Sequence, residues 1–250
     1  MRNLPPICKN LLLLNIIVWL FDMLMERFGI SLTTLLGLHY FTAEGFYIWQ
    51  PLTYMFMHAN FQHIFFNMFA LFMFGPALEE YWGSKRFLIY YLVCGLGAAL
   101  VQEGVWAIKI LNLLDTYSAS SVQLSYINPL VTIGASGSVF GLLLAFGWLF
   151  PDIRMFIMFI PIPIRARTLV TIYAIVELFE GLAPSPGDNV AHFAHLGGML
   201  FGLILILWWN RDNYSFGNWL KKMWNKVIPP KKQEINDKDY SDYHYHRPLR

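Results

Sequence analysis

The sequence predicts an all-α polytopic membrane protein, a bundle of six transmembrane helices with a short central fourth helix, and three observations carry that prediction. Of 250 residues, 56% are hydrophobic, 17% aromatic and only 14% charged, a composition far too apolar for a soluble domain of this size. Six apolar stretches can be counted, at about 8–28, 58–78, 87–108, 135–150, 166–181 and 190–210. If the six alternate in direction, Arg2, Lys9, Lys85, Arg86, Arg154, Arg165, Arg167, Arg211 and Lys221 share one side, while the other holds only Arg27 and Lys109. The positive-inside rule then makes both termini cytoplasmic.

The first stretch lacks a small-x-small cleavage site and runs into Asp22, Glu26 and Arg27, so a retained helix is expected rather than a signal peptide. Cys8 and Cys94 have no metal-type spacing and suit neither a disulfide framework nor zinc. Residues 29–57 form a long outer loop rich in aromatics (Tyr40, Phe41, Phe46, Tyr47, Trp49) with no Lys or Arg, expected to lie in the interfacial layer. The second helix is expected to begin at His58. His63 and Asn67, four residues apart, share one of its faces, with His58 a further turn outward. Two readings stand for these polar groups: interhelical hydrogen bonding for stability, or side-chain donors aimed at a substrate oxygen. Glu79, Glu80, Gly83, Lys85 and Arg86 read as a charged turn on the cytoplasmic side, and residues 109–130 as a polar outer connector.

The fourth stretch opens on Gly134-Ala135-Ser136-Gly137 and stops at Pro151. Its 16 residues rise about 24 Å against a hydrocarbon core of roughly 30 Å, so its first turn is expected below one membrane surface, lining a wet or protein-filled cavity. Free N–H groups at a helix start suit a developing oxyanion; Ser and Gly can equally serve close packing. The fifth stretch follows Pro161 and Pro163, which break any continuous helix there. The sixth carries Ala194-His195-Leu196-Gly197-Gly198. Gly198 and Gly202 form a close-approach surface, Gly137 and Gly141 another, and together they could bring Ser136 Oγ to His195. His192, nearer the outer end, is expected in a water-filled mouth.

These residues resemble the rhomboid intramembrane serine proteases. The resemblance lies in Gly134-Ala135-Ser136-Gly137, in His58, His63 and Asn67, in Ala194-His195-x-x-Gly198, and in Trp49 nine residues before His58; it covers about residues 10–210. It implies that Ser136 is the nucleophile and His195 its general base, that His63, Asn67 and the Ser136 N–H form an oxyanion hole, and that His58, Gly134, Gly137, Phe140 and Gly198 support the site. It implies no cofactor and no metal. The substrates would be membrane proteins with a transmembrane segment, admitted from the bilayer between the second and fifth helices under a loop from Leu182 to Asn189, and no nucleic acid is involved. Gln50 stands where many relatives have Arg, and Phe140 where relatives often have Tyr. No Asp or Glu lies close to His195 in sequence; Glu177 and Glu180 are conceivable orienting groups, but the resemblance implies a Ser–His dyad and neither is assigned. Activity is expected to fall in acid.

The protease domain is expected over 1–210 and a cytoplasmic tail over 211–250, with an interfacial amphipathic helix at about 214–228 followed by disorder. The lack of a transit peptide points to a bacterial plasma membrane. Beside the protease stand a non-catalytic relative that binds transmembrane clients, and a membrane protein using His63 and His195 as haem or metal ligands.

Overall fold

The computed structural model describes residues 4–157, 160–183 and 190–211. The chain divides into two compact units, Met1–Ile206 and Leu207–Arg250. The expected tail helix, His244 and His246, and most of the loop from Leu182 to Asn189 lie outside the described residues.

Helix α1, Pro6–Glu26, starts on a proline whose fixed φ suits a first turn. The outer loop that follows is more structured than a padding segment. It contains α2 (Leu32–Leu36), strand β1 (Leu38–His39), α3 (Gln50–Thr53) and a 3-10 turn at Tyr54–Phe56. Helix α4 spans Phe61–Trp82, and so begins three residues after His58. The reason is Asn60, whose extended backbone and side-chain oxygen, accepting from His63 N–H at 2.8 Å, make it the N-cap. Gly83, at φ +77°, ends α4 in a conformation that favours glycine, and α5 (Ser84–Leu114) starts at once.

A short α6 (Ala119–Val122) and a π turn at Gln123–Ile127 lead to β2 (Val131–Thr132), which pairs antiparallel with β1: Leu38 opposite Thr132 and His39 opposite Val131. Helix α7 is Ser136–Leu149, 14 residues, ended at Phe150 by the approach to Pro151. The proline-bearing segment before the next helix is a hairpin of β3 (Arg154–Ile157) and β4 (Ile160–Arg165). Helices α8 (Ala166–Leu182) and α9 (His192–Trp209) complete the described chain. Each of the six apolar stretches is thus helical. Helices α1, α4, α5 and α9 are long and apolar enough to cross a membrane, while α7 and α8 are shorter.

Two corrections bear on packing. Glu79 is not part of a solvated turn. It is 2% exposed and accepts the backbone N–H groups of Ile7 at 3.0 Å and Cys8 at 2.7 Å, together with the Ser84 hydroxyl at 2.6 Å. A carboxylate from α4 thereby satisfies the first-turn donors of α1, where the helix dipole also favours negative charge. Gln50 is fully buried: its amide N–H reaches the Gly45 carbonyl at 2.8 Å and its oxygen accepts from His39 N–H at 3.2 Å. The position read as a lost lipid-facing charge is an internal brace of the outer loop.

Helix α7 is the central element. Ser138 Oγ donates to the Tyr91 carbonyl at 2.8 Å and Tyr90 donates to the Gly141 carbonyl at 2.9 Å, tying α7 to α5 through buried polar contacts. On its other side Leu143 packs with Val170 of α8 and Met199 of α9, with Phe140, Ala174 and Leu196 around them.

Candidate active site

Ser136 is the first residue of α7, and the chain entering it is held on both sides. Gly134 donates its N–H to the Tyr54 carbonyl at 2.9 Å and has φ +129°, a backbone region L side chains rarely adopt. A Cβ there would also stand 2.7 Å from His63 Nε2. Only glycine lets this histidine come so close to the backbone two residues before the serine.

Across from Ser136, in the first turn of α9, His195 is 8% exposed and places Nε2 2.8 Å from Ser136 Oγ. Glycines make this approach possible: a Cβ on Gly198 would overlap the Gly137 carbonyl, and one on Gly141 would lie 3.2 Å from the Gly198 carbonyl. Gly202 meets the Tyr90 hydroxyl instead. Phe140, one turn after Ser136, stacks on the His195 ring at 4.3 Å and 9° between planes, so the imidazole cannot tilt on that face.

His63 is half-buried, and its Nδ1 accepts from Ala59 N–H at 3.4 Å. An Nδ1 acceptor leaves the proton on Nε2, the atom beside Gly134. Asn67 is buried and donates one amide hydrogen to the His63 carbonyl at 3.0 Å, keeping the second for another acceptor. His58 is 2% exposed and sits edge-on to His63 with ring centroids 5.0 Å apart. It precedes the spanning helix, and burial, followed by the neighbouring His63, pushes its imidazole down to about 3.

The surroundings of His195 differ from the expectation of a base remote from carboxylates. Glu177 of α8 is 7% exposed, and its Oε2 lies 2.7 Å from His195 Nδ1 and 2.7 Å from His192 Nδ1. His192, expected in a wet mouth, is thus engaged with this carboxylate, its side chain only 10% exposed. One signal in the sequence pointed to Glu177: an ionisable side chain in an apolar helix calls for a partner. The partner itself is 18 residues away on another helix, which no local pattern reveals.

Glu177, His192 and His195 each offer one ligand atom within 4.8 Å of the others, and two imidazoles with a carboxylate are donors that zinc accepts. A metal would need both Nδ1 lone pairs, whereas both Nδ1 atoms stand at hydrogen-bond distance from one oxygen. His63 is not part of that set.

A model of the rhomboid domain matches residues 45–211, more than half of the chain. The chain belongs to the rhomboid family. Among curated relatives of this rhomboid, YdcA of Bacillus subtilis (strain 168) is 28% identical over 208 residues, 81% of this chain and 88% of that protein. AarA of Providencia stuartii is 26% identical over 163 residues, 63% of this chain and 54% of that protein. GluP of Bacillus subtilis (strain 168) is 28% identical over 155 residues, 62% of this chain and 24% of that protein. AarA and GluP are both named rhomboid proteases, and this rhomboid spans only about half of the first and a quarter of the second. As a family member it is a mostly helical, integral multi-pass membrane protein.

Proposed function

We propose that this rhomboid is an intramembrane serine endopeptidase that cleaves transmembrane segments of membrane proteins. The observation that carries the reading is the 2.8 Å contact between Ser136 Oγ and His195 Nε2 at the head of a short apolar helix. A serine hydroxyl is a poor nucleophile until a base takes its proton, and neutral imidazole is suited to that role. Ser136 Oγ attacks the scissile carbonyl carbon while its proton passes to His195 Nε2. The carbonyl oxygen, now an oxyanion, accepts from the Ser136 N–H, the His63 Nε2–H and the second amide hydrogen of Asn67. His195 returns the proton to the leaving amine, and water then hydrolyses the acyl-enzyme by the same exchange.

Six spanning helices with α7 and α8 as the short members, both termini cytoplasmic and the site in the outer half of the bilayer complete the reading. The basic residues at 85, 86, 154, 165 and 167 support that orientation. Residues 1–210 form the protease domain. Substrates enter sideways between α4 and α8, whose apolar side chains Phe65, Phe69, Val176 and Phe179 are exposed and suit contact with lipid or a substrate helix. The reaction needs no cofactor.

The test is labelling of the detergent-solubilised protein by a fluorescent fluorophosphonate. The wild type should label and both Ser136→Ala and His195→Ala should not. Equal labelling of all three would reject Ser136 as the nucleophile, and no labelling of a folded wild type would move the client-binding reading to first place.

A further inference from the structure

We propose that Glu177 is a positioning residue for His195, so that the site works as a Ser136–His195–Glu177 relay rather than a two-residue dyad. The claim deepens the protease reading in its kinetic part and rests on geometry alone in its statement about protons.

The argument begins with what a carboxylate can do. An ionised carboxylate only accepts hydrogen bonds, and its Oε2 lies 2.7 Å from two imidazole Nδ1 atoms, of His192 and of His195. Both Nδ1 atoms must then carry hydrogen. In a neutral imidazole with hydrogen on Nδ1, Nε2 holds a lone pair, and for His195 that lone pair faces Ser136 Oγ at 2.8 Å. The buried carboxylate thus selects the one neutral tautomer that can take a proton from the serine. The opposite tautomer would point Nε2–H at the hydroxyl and leave Nδ1 facing an acceptor, two unfavourable contacts in a site with little water.

Three further features hold the arrangement. Phe140 covers one face of the His195 ring, so the carboxylate needs only to fix rotation within the plane. Gly181, one turn after Glu177, lets the end of α8 approach the start of α9: a Cβ there would stand 3.1 Å from the Phe193 ring and 3.4 Å from His192 Cβ. His192 supplies a second charge-assisted donor to the same oxygen, which orients the carboxylate toward His195. When His195 takes the serine proton it becomes a cation beside this anion, and the attraction is worth more in a buried site than in water.

The experiment uses the full-length protein in detergent with two readouts. Protein labelled with nitrogen-15 at histidine, with His195 assigned by comparison with His195→Gln, reports which ring nitrogen carries hydrogen. The wild type should show His195 as the Nδ1–H tautomer, with its proton resonance at low field through the bond to Glu177. In Glu177→Leu that resonance should vanish and the ring should exchange between tautomers. In parallel, the fluorophosphonate labelling rate is resolved into its maximal rate and half-saturating probe concentration. Glu177→Gln, isosteric but uncharged, should lower the maximal rate by roughly 10²-fold or more with the half-saturating concentration within about threefold, and Glu177→Asp should recover part of it. Thermal melting checks that each variant is folded; if Glu177→Leu is not, Glu177→Gln carries both readouts. An Nε2–H tautomer in the wild type, or a Glu177→Gln rate within about threefold of wild type, overturns the proposal. Loss of both Nδ1–H resonances on adding Zn²⁺ at stoichiometric concentration, with tight retention, assigns the three residues to a metal and overturns it too. A wild type that shows the Nδ1–H tautomer but labels with no probe rejects the protease reading while upholding the positioning of His195.

Discussion

Two buried carboxylates serve this molecule in opposite ways. Glu79 and Glu177 are each almost wholly buried on an apolar helix, and each accepts two short N–H bonds from another helix. For Glu79 the donors are backbone amides at the start of α1, which never titrate and cannot turn. For Glu177 they are imidazoles, one of them touching the serine. The first arrangement fixes a helix; the second fixes a proton. The same chemical group is structural or mechanistic according to whether its partner can change protonation state.

Exchanging the two perturbations tests that difference. The largest expected effect is on the serine side: Gly134→Ala forces a methyl against His63 Nε2 at an unfavourable φ, and should cut the maximal labelling rate by about 10²-fold through loss of an oxyanion donor. Glu79→Gln should do the reverse. It weakens the α1 cap and should lower stability by about 1–3 kcal/mol, read as a lower melting temperature, while the labelling rate per folded molecule stays at the wild-type value. A Glu79→Gln protein that is stable but slow would erase the distinction between the two carboxylates. Phe140→Leu removes the stacking partner of His195 and should slow labelling by about 10-fold, with stability lowered by about 1 kcal/mol.

The smallest effect concerns acid. His58 has a folded value of about 3, below its ordinary 6.5, because burial disfavours its charged form. The unfolded chain therefore binds a proton that the folded one refuses, and stability falls as pH drops from about 6.5 toward 3. Above that window this residue contributes no pH dependence. The melting temperature of His58→Phe should decline less steeply over the same range than that of the wild type; parallel declines would remove His58 from the account.

Much of this was legible in the chain because it is written in local pattern. Apolar runs gave the six helices, and the glycines at 137 and 198 marked the close approach that carries His195 toward Ser136. What stayed hidden depends on contacts between distant segments. Glu79 looked like part of a charged turn because Glu80, Lys85 and Arg86 surround it, and its amide partners lie 71 and 72 residues earlier. Gln50 looked like a substituted surface position, since nothing nearby shows that the loop folds around it. The prolines at 161 and 163 signalled a helix break correctly but could not say that the broken segment pairs as a hairpin. Asn60 was the one local signal passed over: an N-cap just before the apolar run, it moved the start of α4 beyond His58.

The short pairing of β1 with β2, together with the Gly134 bond to Tyr54, has a consequence for the smallest working piece of this protein. The three residues leading into the serine are tethered to a stretch almost a hundred positions upstream, so a fragment beginning at α4 would retain every reacting group and still lack the scaffold that sets the nucleophile's entry angle. Trimming from the amino end should extinguish catalysis well before it reaches any residue that touches a substrate.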